Sequence, residues 1–312
     1  MRVAYAPGYW IELEAGHRFP MGKFPALHAR LIREGLVDPR DVVLPGEAAR
    51  RDLLRVHTRE YLDALATASL DRRSERRLGL PATRALWQRS LLAVQGTLLA
   101  ARMALEDGIA ANLAGGTHHA FPDHGEGFCV LNDVAVAIRS LRAERSTLRA
   151  LVVDLDVHQG NGTAFIFGGD PDTFTFSMHG EKNFPFTKER SSLDVPLPDH
   201  VGDAGYLSAL AAHLPTALEA ARPDLVMYLA GVDCVVGDRF GRLDLSERGL
   251  AERDAFVFAT LCDAGVPVAL LMSGGYAETA ERTAELHAVT HREAAALYRS
   301  DRPVIQEPGA AT

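Results

Sequence analysis

The sequence predicts an α/β fold, a three-layer α-β-α arrangement around a central, mainly parallel sheet. Three observations lead there. Short apolar runs alternate with amphipathic helical stretches over most of the chain. Several of those runs are continuously apolar, Leu225-Val226-Met227-Tyr228-Leu229-Ala230 among them, as expected of strands covered by helices on both faces. Four runs also end in glycines, acids or imidazoles, and sheets of this class bind ligands beyond the carboxyl ends of their strands.

In chain order, an apolar run predicts a first strand at 3–6. Helical periodicity follows at 24–34, 59–68 and 81–106, where apolar residues recur at three- and four-residue spacing. A strand at 110–114 runs into Gly115-Gly116-Thr117-His118-His119, and a helix at 132–144 leads to a strand at 150–155 ending at Asp156 and His158. A strand at 173–177 and a helix at 205–221 precede the strand 225–230, which runs into Gly231-Val232-Asp233. A helix at 246–263, a strand at 266–272 ending in Ser273-Gly274-Gly275-Tyr276, and a helix at 277–300 complete the pattern. At 312 residues the chain fits one large α/β domain, 1–312, with the tail 303–312 expected to be loosely held.

Composition sets the class. Apolar residues make up 47% and charged residues 24%, as in an ordinary soluble enzyme. No window approaches 18 uninterrupted apolar residues and the N-terminus lacks a secretion-signal core, so no membrane association is expected. Cys129, Cys234 and Cys262 form no close pair, which argues against a disulfide framework and for a cytoplasmic location. The net charge of -8 argues against nucleic acid as a partner and mildly for cationic ligands. Nothing in the sequence sets the oligomeric state.

The most informative segment is Asp154-Leu155-Asp156-Val157-His158. If 151–157 is a strand, Asp154, Asp156 and His158 share one face. Buried carboxylates side by side repel and lose hydration, so they call for a cation or strong donors. Two carboxylates and an imidazole suit a catalytic zinc or ferrous ion, and Asp233 supplies a further acid. Asp154 also suits a supporting place, orienting a histidine or holding a monovalent cation with nearby carbonyls. Asp233 at a strand end reads equally as the cap of a following helix. His118 and His119 offer a general base and an electrostatic partner, since imidazole titrates near neutrality. Tyr276, on a glycine-flexed loop, can donate to a developing oxyanion. Cys129 is the competing nucleophile, although free cysteine is more often packing.

Five segments in order, Gly115-Gly116-Thr117-His118-His119-Ala120, Gly125-Glu126-Gly127-Phe128-Cys129-Val130-Leu131-Asn132-Asp133, Asp154-Leu155-Asp156-Val157-His158-Gln159-Gly160-Asn161-Gly162, Ala230-Gly231-Val232-Asp233 and Ser273-Gly274-Gly275-Tyr276, together resemble the zinc-dependent histone deacetylase superfamily. That superfamily includes acetylpolyamine amidohydrolases and acetoin-utilisation proteins. Asp156 to Gly162 and His17-Arg18-Phe19-Pro20-Met21 look most like the class IV deacetylases and their bacterial relatives. The resemblance implies an arginase-like fold and one catalytic metal, zinc or iron, on Asp156, His158 and Asp233. It implies His119 as general base and then acid, His118 beside it bonded to Asp154, and Tyr276 polarising the substrate carbonyl. Gly127, Phe128, Gly274 and Gly275 would line a channel for a lysine-like stem, with Phe184 on the opposite wall. A structural potassium would sit against Asp154, Ser177 and the carbonyls of Asp156, His158 and Met178.

Many relatives carry a carboxylate where this chain has Asn161, the implied partner of His119, so His119 should be less basic here. The implied reaction is hydrolysis of an N-acyl amide on a long primary amine, an acyl-lysine or an acylated polyamine. A two-manganese arginase-type hydrolysis would want another acid two residues beyond Asp233, where the chain has Val235. A silent acyl-lysine binder would be expected to lack a ligand, a dyad histidine or the tyrosine, and none is missing. A small-molecule amidase unrelated to lysine is the remaining rival.

Overall fold

A computed structural model describes the backbone of residues 1–300; the tail 303–312 lies outside the described residues. Eight strands form one sheet: β1 (Arg2–Ala4), β2 (Val42–Val43), β3 (Ile109–Asn112), β4 (Ala150–Asp154), β5 (Thr173–Gly180), β6 (Leu193–Leu197), β7 (Leu225–Leu229) and β8 (Val268–Leu271). Their order is β2-β1-β3-β8-β7-β4-β5-β6, and every neighbouring pair is parallel. The helices are α1 (Lys23–Arg33), α2 (Arg50–Leu53), α3 (Arg59–Ala66), α4 (Arg72–Leu78), α5 (Arg84–Asp107), α6 (Asp133–Glu144), α7 (Asn161–Ile166), α8 (Asp203–Ala221), α9 (Glu247–Asp263) and α10 (Ala280–Ser300).

Strand alternation divides the core in two. Leu151, Val153, Val226 and Tyr228 pack toward the layer of α1, α8, α9 and α10. Ala150, Val152, Leu225 and Met227 pack toward α3, α5 and α6. Both faces are dry, so β4, β7 and β8 are buried along their whole length. The predicted α-β-α class is therefore what the chain adopts, with a wholly parallel sheet.

Local chemistry sets the helix ends. Thr83 Oγ1 accepts the Leu86 amide, so α5 starts at Arg84 rather than at Pro81. Thr58, Asn132 and Ser246 cap α3, α6 and α9 in the same way. The expectation that 151–157 is all strand is corrected: β4 ends at Asp154. There the chain turns, and the Asp156 amide donates to Asp154 Oδ1 (3.2 Å). Asp156 and His158 thus stand on a loop, not on a strand face. The two edge strands escaped the sequence reading. β2 has only two residues, and β6 carries Pro196, which an edge tolerates and an interior strand does not.

Candidate active site

Beyond the carboxyl ends of β3, β4, β7 and β8, loops bring His118 and His119, Asp156 and His158, Asp233, and Ser273 to Tyr276 together. Asp133, at the start of α6, fixes the first loop by accepting the amides of Gly116 (3.0 Å) and Thr117 (2.7 Å). The last loop is held on the acids: Gly274 donates its amide to Asp156 Oδ2 at 2.6 Å, and Ser273 its hydroxyl at 2.7 Å. A Cβ on Gly274 would overlap Asp233 Oδ2, so only glycine lets this backbone approach so closely. Ser273 and Phe128, non-glycine residues with φ of 59° and 66°, flank the site in the left-handed region.

Asp156, His158 and Asp233 are buried, and one ligand atom from each lies within 4.8 Å of the others. His158 Nδ1 is 3.0 Å from Asp156 Oδ1 and 3.2 Å from Asp233 Oδ2. Asp233 Oδ2 has no hydrogen-bond partner, and an orphaned buried carboxylate oxygen is costly without a cation. Asp233 Oδ1, by contrast, accepts the Val157 amide at 2.9 Å, which aims the free oxygen inward. Burial and then the charge of Asp156 push Asp233 up to about 7. Burial opposes a charge on His158, yet the carboxylates of Asp156 and Asp233 beside its Nδ1 lift it to about 10. Two carboxylates and an imidazole that trap protons this way fit a divalent metal.

The two histidines have different partners. His118 Nδ1 lies 2.7 Å from Asp154 Oδ2. Burial disfavours a charged His118, but Asp154 and then Asp156 outweigh it and raise it to about 9. Burial also raises Asp154, so one proton is held between the pair and we place it on His118 Nδ1. His119 Nδ1 faces Asn161 Oδ1 at 2.7 Å, while Asn161 Nδ2 donates to Glu126 Oε1 at 2.6 Å. That second bond fixes the carboxamide's orientation, so His119 donates from Nδ1 and keeps Nε2 as an acceptor. Burial, then the charges of His118 and His158, hold His119 well below its ordinary value.

Tyr276 is buried, which with Asp156 and Asp233 nearby holds its phenol protonated well above the usual range. Its ring packs on Phe240 (4.9 Å) and Phe128 (5.8 Å). An open cavity of about 730 Å³ reaches from His119, His158 and Tyr276 past Gly127, Phe128 and Phe184 to solvent. Phe184 packs edge-on to His119 at 4.9 Å, and Gly127 lies against both rings, where a Cβ would press on each. Gly274 lines the inner end of the site, whereas Gly275 is held through its carbonyl by Lys23 Nζ (3.5 Å). Ser177 stands beside Asp154 in the β4–β5 register, with its hydroxyl 3.0 Å from His179 Nδ1, and Met178 follows it. Burial pushes the Cys129 thiol up, away from a reactive thiolate.

Sequence reasoning missed two charged residues here. Lys23 is fully buried beneath the Tyr276 loop, donating to Ser273 O at 3.1 Å with burial bringing it down to about 8. Arg253, in α9, is fully buried and donates to Gly231 O at 2.6 Å, just before Asp233. Arg253 falls at a core-facing position between Leu250 and Val257, and that misplaced charge is the signal that points to it.

Residues 17–292 match the histone deacetylase domain family. The chain is 48% identical, over 95% of its length, to an uncharacterized protein of Picosynechococcus sp., of which it covers 99%. It is 32% identical to histone deacetylase 2 of Arabidopsis thaliana, covering 90% of this chain and 76% of that one. It is also 32% identical to a probable deacetylase of Methanothermobacter thermautotrophicus, over 88% and 86% of the two chains. The crystal structure of the HDA15 HD domain aligns with a TM-score of 0.78 and 25% identity, over 95% of this chain and 91% of that one.

Proposed function

The chain belongs to the histone deacetylase family, and from that membership we propose that it is a metal-dependent deacylase acting on N-acyl-lysine side chains. One observation carries the reading: a buried donor set for a cation, an imidazole with a free Nε2, and a phenol share one end of an aromatic-walled cavity. Asp156, His158 and Asp233 would hold the ion, Zn²⁺ with Fe²⁺ as the alternative. When bound, it supplies Lewis acidity that makes a water more acidic and polarises an amide carbonyl.

His119 accepts the proton of the attacking water at Nε2 and returns it to the departing amine. His118, charged through Asp154, stabilises negative charge in the same pocket without exchanging that proton. Tyr276 donates its phenolic hydrogen to the carbonyl oxygen as it becomes an oxyanion. Gly127, Phe128 and Phe184 form walls that suit an alkyl stem and exclude water, with Gly274 at the inner end; Gly275, proposed from the sequence as a further channel residue, lines neither cavity. Asp154, Ser177 and the carbonyls of Asp156, His158 and Met178 would share a structural K⁺; the β4–β5 register supports this by setting Asp154 beside Ser177. We read 1–312 as one catalytic domain. Among the described residues no helix is long and apolar enough to cross a membrane. A cytoplasmic location is our reading from the wide spacing of the three cysteines in the sequence.

The test is turnover. Purified protein loaded with zinc is expected to release free amine from acetyl- or longer acyl-lysine peptides, and the same panel should include acetylpolyamines. His119→Ala and Tyr276→Phe should each lower kcat by about 100-fold or more while metal content is retained. A metal-loaded protein inert on every acyl length and polyamine would leave a silent binder as the reading.

A further inference from the structure

The cavity that ends at His119, His158 and Tyr276 opens through a rim of six cations, Arg18, Arg76, Arg77, Lys182, Arg239 and Arg242. They come from separate parts of the chain: the loop before α1, the end of α4, the loop after β5 and the loop after Asp233. Among the described residues the one carboxylate lining the same cavity is Glu126, and its Oε1 already accepts from Asn161. This is the reverse of the whole chain, whose net charge is -8, so the global balance misleads about the site.

The rim charge is not cancelled locally. Asp199 serves two of the cations at once, Arg242 at 2.6 Å and Lys182 at 3.8 Å. Arg239 bonds to two carbonyls, Tyr276 O (3.0 Å) and Arg18 O (2.9 Å), and among the described residues to no carboxylate. Arg18 lies over the Phe240 ring at 5.7 Å. Among the described residues no carboxylate lies within 4.0 Å of Arg18, Arg76 or Arg77, and all three are exposed. Like charges around an apolar, low-dielectric mouth focus the field outward. Guanidinium groups pair with carboxylates in two-pronged fashion, a selectivity a bare ammonium lacks.

We propose that this rim selects acyl-lysine substrates flanked by Asp or Glu and rejects polycationic ones. The inference rests on the acyl-lysine reading and narrows it. A stem that reaches the catalytic groups leaves the residues on either side of it at the rim, among Arg76 and Arg77 at the end of α4 and Arg18, Arg239 and Arg242, of which Arg18 and Arg239 are in direct contact. Acylated polyamines, and acyl-lysines set in Lys- and Arg-rich segments, bring like charge to the same place.

The experiment uses zinc-loaded protein and three peptides with one acyl-lysine each, flanked by Glu, by Gln or by Arg, together with an acetylpolyamine. The Glu peptide should exceed the Arg peptide in kcat/KM by about tenfold or more at low salt, chiefly through KM. Raising NaCl to roughly 0.5 M should shrink that ratio, because the charges are solvent-exposed. The double variant Arg76→Glu, Arg77→Glu should bring the ratio near one or invert it. Arg59→Glu, a single charge reversal at the exposed start of α3 and outside the cavity, should leave the ratio as it was. Equal kcat/KM for the three peptides overturns the inference. So does a preference indifferent to salt and to the double variant. Failure on every peptide and on the polyamine alike, with metal bound, overturns the acyl-lysine reading and this inference with it.

Discussion

Asn161 Oδ1 meets His119 Nδ1 at 2.7 Å, and the nitrogen of the same carboxamide meets Glu126 Oε1 at 2.6 Å. The carboxylate of Glu126 therefore stands one side chain away from this histidine. An amide between the two transmits orientation well and charge weakly. Burial and two neighbouring imidazoles already hold His119 low, so it is present as the free base across the neutral range. Asn161→Asp should raise it by about one unit or more, and the acid limb of the pH profile of kcat/KM should move to higher pH by the same amount. Glu126→Gln should move that limb down or leave it flat. If neither variant displaces the limb, His119 is not the base that the profile reports.

The sheet interior was legible because its strands are continuous apolar runs: 225–230 anticipated β7, Leu225–Leu229, to within one residue. β2 and β6 were not, because a strand of two residues and one carrying Pro196 leave no periodic trace. α4 is a helix whose residues, apart from Leu78, face solvent, so no apolar stripe announces it. The residues brought together at the site were also foreseen, through the glycine-and-acid strand ends. Their partition was only half visible. Alternation put Asp154, Asp156 and His158 on one face, but the turn after Asp154 is what sends Asp154 to His118 and Asp156 to Asp233's side. Lys23 stayed hidden because it is the opening residue of α1, and only the fold shows it reaching the loop that holds Tyr276; Arg253 left a trace, a charge at a core-facing helix position, but the fold alone shows that it meets the loop before Asp233.

Metal uptake should release protons and weaken in acid. Asp233 is raised to about 7 by burial and by Asp156, and His158 to about 10 by the same two acids, so in the metal-free protein a proton occupies the place of the ion. Affinity measured by competition with a chelator should rise with pH through the neutral range, and calorimetry in buffers of different ionisation enthalpy should report proton release. Asp233→Asn should lose stoichiometric metal on dialysis. Gly274→Ala should do so as well without touching a ligand, because its Cβ overlaps Asp233 Oδ2 and its amide supports Asp156. A Gly274→Ala protein that keeps full metal content would refute this account of the loop.

His57 ties the channel wall to the fold and should make stability fall in mild acid. The ring is buried, with Nδ1 at 3.1 Å from Phe121 O and Nε2 accepting the Asn132 amide at 3.0 Å. The segment between those two contacts carries Gly127 and Phe128, so one imidazole anchors both ends of that wall. Protonating Nε2 would set donor against donor at Asn132, which also caps α6. Burial accordingly lowers His57 to about 4, against an ordinary value of 6.5. The unfolded chain thus binds a proton that the folded one refuses. The stabilisation is complete above about 6.5, is lost progressively as pH falls toward about 4, and is flat below, amounting to about 3 kcal/mol at most. Urea unfolding from pH 4 to 7 should show a slope that flattens by as much as one proton in His57→Gln, whose amide offers a donor and an acceptor at all these pH values. Parallel curves for the two proteins would mean that His57 is not the group whose protonation loosens the wall.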